Sequence, residues 1–167
     1  MVTKPVEGLS DLDKALGELP KTTAANVLRR TGLKALEIFV EVVKDVAPID
    51  TNAANTPERK PGEYRDSWHA GTKLNKNQAK TARREGKSFA EVYAGTNDPL
   101  GVPLEYGTKP RVNRKSGKSY GAVRPQPHAR PAWDATHDLV LKAIQTELGG
   151  EITKAAMRLA KKAARGR

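Results

Sequence analysis

Apolar residues recur at helical spacing through most of the first 46 positions. Leu9, Leu12, Leu16 and Leu19 make a partial stripe, and Ser10 with Asp13 three residues on has the form of a capping box. This predicts a short helix over about 10–19, ended by Pro20. Thr22 or Thr23 is placed to cap a second helix. That helix is predicted over 23–46, with Leu28, Ala35, Phe39, Val43 and Val46 on one face and Leu36 and Val40 widening the stripe. Arg29, Arg30, Lys34, Glu37, Glu41 and Lys44 occupy the other face. Gly32 weakens the helix by about 1 kcal/mol relative to Ala and is expected where another backbone comes close. Ala47-Pro48 ends it, because a residue before proline avoids helical geometry.

Beyond Pro48 the period changes. Residues 49–63 are turn formers and charges. YRDSWHAGTKL, residues 64–74, predicts a strand, with Tyr64, Asp66 and Trp68 alternating with Arg65, Ser67 and His69. Residues 75–88 are polar and basic, a hairpin loop or arm. The run 89–97 alternates Phe89, Glu91 and Tyr93 with Ala90, Val92 and Ala94, a second strand. Residues 102–108 read as a short strand or as an extended segment before a turn at Gly107. Proline and glycine exclude a long helix over 109–131. Pro131 then starts a third helix over about 131–148, with Trp133, Val140, Ile144, Leu148 and Leu141 as its apolar face. Gly149-Gly150 are expected to break or kink it before a basic amphipathic tail helix over 151–164, with Ile152, Ala155 and Leu159 on its apolar side. Strands flanked by helices indicate one α+β domain over 1–167: a small antiparallel sheet packed against the long helix and a C-terminal helix, with an extra C-terminal tail helix.

Charge adds a second layer. Thirty Lys and Arg against 19 Asp and Glu leave a net +11, distributed as −1 over 1–50, +8 over 51–128 and +4 over 129–167. The run 109–131 holds seven basic residues and no acidic one. Such a field favours polyanions, either nucleic acid or an acidic protein face, and a solvated basic surface is the plain alternative. Lys109, Arg111, Arg114, Lys115, Lys118 and Arg124 form the densest part. They are a candidate DNA-facing or partner-facing loop that contacts phosphates without reading bases; a disordered loop that orders on assembly is the other reading. The tail helix is either an exposed basic helix or a docking element for a neighbour. The chain has no cysteine, which removes disulfides, thiolate metal sites and thiol nucleophiles. It has no apolar run of the ~20 residues a membrane span needs, and its first residues lack the apolar stretch of a signal peptide. A cytoplasmic origin without a membrane partner is expected.

Motifs for catalysis are sparse. His69, His128 and His137 do not stand at metal-ligand spacing. Ser67, beside Asp66, lacks a nucleophile-elbow context. Glu91 and Glu105 are the carboxylates that pairing for acid–base work would use. No phosphate-binding glycine loop is present. A non-enzymatic protein without catalytic residue, cofactor or metal is expected, against a stand-alone DNA-binding protein using the 109–124 loop and C-terminal helix, and against a hydrolase or toxin with a cryptic site.

Several segments, in order, resemble a known family. GLSDLDKALGELP precedes the long helix; APIDT follows it in the manner of an Ala-Pro-x-x-Thr pattern. YRDSW, VYAGTN, LEYGT and QPHARPAWDA come next. Together they resemble the tail-completion or neck (head–tail joining) proteins of long-tailed bacteriophages, which are tail-terminator-like in role. The likeness runs from about Gly8 to Lys162 and rests most on Glu105, Tyr106, Gly107, Thr108, Pro127, Arg130 and Pro131. Two departures fall in loops: Thr51-Asn52 stands where the family has Thr-Gly, with extra residues before YRDSW, and the loop after LEYGT is longer and more basic. The resemblance implies a structural virion protein assembled in the host cytoplasm. It implies a homo-oligomeric ring, a hexamer being one such size, between neck or connector and tail-tube proteins, with non-specific contact with phage DNA. Arg130, a cation at a helix start, is unfavourable for the dipole and calls for an acidic partner such as Glu105 or Asp134.

Overall fold

The computed structural model describes residues 9–49, 60–76, 79 and 90–165. In chain order the elements are α1 (Leu9–Gly17), α2 (Lys21–Val46), α3 (Glu63–Asp66), β1 (His69–Gly71), β2 (Tyr93–Gly95), α4 (Gly101–Tyr106), β3 (Arg111–Val112), β4 (Ser119–Tyr120) and α5 (Ala129–Arg165). β1 pairs with β2, and β3 pairs with β4 antiparallel. The fold is α+β, long helices with small strand pairs, as the pattern predicts. The loop over 50–59, residues 77, 78 and 80–88 of the basic arm, and Phe89 lie outside the described residues.

The chain forms two compact units, and α2 and α5 each contribute residues to both. In the first, comprising 1–36, 72–93 and 138–167, Val27, Leu148, Ile152 and Ala155 form a buried cluster. Leu12, Ala15, Leu16, Leu19 and Leu28 pack on it, so the leucine stripe of α1 meets α2 and the C-terminal half of α5. Charged residues of α2 close the edges of this contact: Arg30 pairs with Glu151 at 2.9 Å and Lys34 with Glu147 at 2.7 Å. In the second unit, 37–71 and 94–137, aromatic rings make the core. Phe39 meets Trp68 and Trp133 edge to face, and Tyr64, Trp68 and His128 meet one another in the same way.

Several expected elements take another form. Tyr64–Trp68 is not a strand; α3 occupies Glu63–Asp66, entered through Gly62 at φ 80°. Tyr64 and Trp68 stand two alternations apart but also four residues apart, so period 2 and period 3.6 fit them equally. Burial of both rings decided for the helical turn. Residues 102–108 are likewise not a strand, because α4 covers Gly101–Tyr106. Pro103 sits in its first turn, where no amide hydrogen is required. Ser10 lies within α1 and not before it. Val46 is exposed, while Val27 is fully buried. On α5, Leu141 and Trp133 are partly solvent-facing although Val140 and Leu148 are buried.

The largest correction concerns Gly149-Gly150. α5 runs unbroken for 37 residues, and no separate tail helix exists. Two glycines cost a helix about 2 kcal/mol relative to alanine. Leu148 and Ile152 on either side are both buried in the same cluster. Burying one such side chain contributes about 1.5–3 kcal/mol, so the pair outweighs the glycines.

Candidate functional site

The positions that carry the family resemblance gather in one corner of the second unit. Glu105, near the end of α4, aims its carboxylate at the start of α5. One oxygen accepts the backbone N–H of His128 at 2.9 Å and of Ala129 at 3.0 Å; the other accepts that of Arg130 at 3.1 Å. The first intrahelical bond runs from the Ala132 N–H to the His128 carbonyl. A helix start leaves four amide groups without helical partners, here those of residues 128–131. Glu105 takes three, and the fourth belongs to Pro131, which has no hydrogen to place. Proline at this position therefore completes the cap; it stands two residues inside the helix, not at the start predicted for it.

Burial tends to push the Glu105 carboxyl upward, but the three amide donors and the neighbouring His128 prevail and hold it below its ordinary range. The favourable position of a carboxylate at a helix N-terminus adds in the same sense. The acidic partner expected for the Arg130 cation is not there among the described residues: Glu105 meets only its backbone N–H, and neither Glu105 nor Asp134 pairs with its guanidinium. Its guanidinium lies 5.9 Å from the centre of the Tyr106 ring, a cation–π contact that leaves the charge near solvent.

Behind the cap, His128 is buried. Its Nδ1 lies 2.8 Å from the Gln126 carbonyl, which only accepts, so Nδ1 carries a proton. In the neutral ring Nε2 is then an acceptor, and the Tyr64 hydroxyl donates to it at 2.7 Å. Burial raises the Tyr64 pKa, and the charges of Glu105 and Asp98 act the same way, which keeps the phenol a donor.

The next residues turn the chain out of the corner. Gly107 has φ 71° and ψ −180°, a region almost closed to other residues. A Cβ there would stand 2.8 Å from the Val123 carbonyl oxygen and 2.9 Å from Pro125 Cδ. Thr108 then bridges Val123: its N–H donates to the Val123 carbonyl at 2.9 Å and its Oγ1 accepts the Val123 N–H at 3.2 Å. The Gln126 N–H donates to the Leu104 carbonyl at 2.7 Å. Glu105, Tyr106, Gly107, Thr108, Arg130 and Pro131 thus each have a structural task in this corner, while Pro127 is exposed at its edge.

Between Thr108 and Val123 the basic loop forms a paired hairpin. Arg111 lies opposite Tyr120 and Val112 opposite Ser119. The turn is organised by Asn113, whose Oδ1 accepts the N–H of Lys115 at 2.9 Å and of Ser116 at 3.3 Å, and by Gly117 at φ 67°. Lys109, Arg111, Arg114, Lys115, Lys118 and Arg124 are all exposed.

The catalytic candidates are held in structural contacts. Ser67 Oγ donates to the Tyr64 carbonyl and meets Thr96 Oγ1. His69 Nδ1 donates to the Ser67 carbonyl and does not touch its hydroxyl. His137 bonds back to its own helix at Trp133 and Asp134. Glu91 accepts from Tyr93, whereas Glu105 serves the cap. Among the described residues no three His, Asp or Glu gather as a metal-holding group, and no helix is long and apolar enough to cross a membrane. Sequence reasoning singled out Glu105 and Arg130 but missed Tyr64 as the partner of His128, for which spacing offers no cue.

No protein-family model, curated protein or solved structure matches the chain.

Proposed function

We propose that this chain is a ring-forming neck or tail-completion subunit of a tailed bacteriophage, acting at the head–tail interface to join or stabilise the tail while DNA passes. The reading rests on the ordered resemblance from the first helix through LEYGT to PHARPA. One observation supports it above others: the two strongest segments of the resemblance, 105–108 and 127–131, meet in a single corner through the Glu105 cap. The role is architectural and requires no cofactor; the partners are further copies of the chain, connector proteins and tail-tube proteins. Rings need head-to-tail contacts in which two different surfaces of the subunit meet.

The test is assembly. Purified protein, alone and mixed with connector complexes or tail tubes, is examined by light scattering and negative-stain electron microscopy. A closed ring of defined size, alone or seated on one of these partners, is the expected result. A chain that stays monomeric in all three conditions overturns the reading.

A further inference from the structure

We propose that the β3–β4 hairpin is a one-sided cationic ribbon that binds the phosphate backbone of duplex DNA independently of sequence. This goes beyond the ring reading and does not depend on it, since a monomer carries the same hairpin.

The inference comes from register. The bridge Thr108↔Val123 and the pairs Arg111↔Tyr120 and Val112↔Ser119 belong to one continuous register without a bulge. Side chains alternate across a ribbon, so Lys109 and Arg111 share a face with Lys118, which stands opposite Asn113. Pro110, Val112, Ser119 and Gly121 fall on the other face, which has no charge. Arg114 and Lys115 project from the turn that Asn113 organises. A merely solvated loop has no reason to sort its cations; this hairpin puts them on one side and at the tip.

Nothing in the hairpin buries these groups. Residues 109–119 are all exposed, Val112 being 63% accessible. An isolated two-stranded hairpin is marginal in water, and like charges along one face weaken it further. The base is nevertheless held, by the Thr108–Val123 bridge and the Glu105 cap beneath it. A polyanion laid on the cationic face would relieve the repulsion. The same register pairs Arg111 with Tyr120 and sets the exposed Ala122 opposite Lys109, so this face carries three cations, one aromatic position and no large aliphatic one. An acidic protein partner fits less well, because the centre of a protein interface is depleted of charge. A two-stranded ribbon is also of a size that the DNA major groove admits.

The decisive experiment exchanges two neighbours. The double variant R111V/V112R has the same composition and net charge as the native chain but carries the guanidinium on the opposite face. Binding of a short mixed-sequence duplex is followed by fluorescence anisotropy over a salt series. The native protein is expected to bind with a Kd in the range of about 10⁻⁴–10⁻⁶ M, weakening steeply with salt, at roughly 0.9 in log–log slope per phosphate contact. R111V/V112R and R111Q should each lose about one contact from that slope, and K109Q/R111Q about two. Circular dichroism and melting should match the native protein, because every altered residue is exposed. Absence of binding at low salt overturns the proposal. So does a native slope in R111V/V112R, which would mean that net charge and not the face holds the DNA, or in R111Q, which would mean that another surface, such as the basic end of α5, does.

Discussion

Glu105 accepts the backbone N–H of His128 at 2.9 Å across 23 residues of chain, and through it the first turn of α5 is capped by a side chain from another helix. Removing the carboxylate leaves the amides of His128, Ala129 and Arg130 without a buried acceptor. Losing an N-cap costs about 0.5–2 kcal/mol, and hydrogen bonds to a charged group lie toward the upper end. E105A is expected to lose about 2–3 kcal/mol in urea unfolding, and E105Q less, since its amide oxygen still accepts. The pH dependence has a definite sign. The folded-state pKa of Glu105 is depressed, so its stabilisation is fully present above the unfolded value of about 4.3 and disappears as pH falls through the folded value. E105Q should flatten the acid limb of the stability profile; an unchanged limb would show that the cap is not a titrating element.

Gly107 and Gly117 separate conformation from contact. Both have positive φ, but only at Gly107 would a Cβ collide with backbone; at Gly117 nothing lies within 4 Å. G117A should cost about 1–2 kcal/mol, the left-handed penalty alone. G107A should cost clearly more, because Val123 and Pro125 must also move. Thermal melts of the two variants side by side decide the matter, and equal losses would contradict the close approach.

The glycine pair of α5 makes the opposite prediction. A Cβ at Gly150 meets nothing within 4 Å, and one at Gly149 makes an ordinary contact with Leu12 Cδ2 at 3.6 Å. In a continuous helix G150A should therefore stabilise by about 0.8–1 kcal/mol. G149A should do at least as well. Were the chain broken or turned here, alanine would be neutral or harmful, so chemical denaturation of these variants reports directly on the unbroken helix.

Gly32 tests a packing contact. A Cβ there would lie 2.9 Å from Val92 Cγ2. Alanine improves helix propensity by about 1 kcal/mol, but overpacking costs about 1–3 kcal/mol. G32A alone should be neutral to destabilising. In a V92A background the same change should stabilise, since the obstructing methyl groups are gone. A double-mutant cycle measures this coupling, and additivity would disprove the contact.

The helical half of the fold was legible because its signal is local. The stripe Leu28, Ala35, Phe39 and Val43 repeats over about four turns, and Ala47-Pro48 marks an end that proline chemistry imposes. Arg30 and Lys34 were placed on the polar face correctly, yet their partners Glu151 and Glu147 lie far along the chain and no spacing rule connects them. The short elements were misread for a related reason. Tyr64 and Trp68 satisfy both periods, and 102–106 contains too few residues for either to emerge. At Gly149-Gly150 a correct local rule was overruled by the burial of Leu148 and Ile152.

For the corner, the sequence by itself determined the parts: an acidic residue, a glycine that calls for a turn, an arginine at a helix start, a proline suited to that start, and an acid-free basic run. It determined the α+β class as well, because periodicity is a property of neighbours. Only the tertiary structure decided that Glu105 caps α5, that Tyr64 serves His128, and that Lys109, Arg111 and Lys118 share one face of a hairpin. Those are relations between segments brought together by folding, and their energies depend on distance in space, which spacing along the chain does not encode.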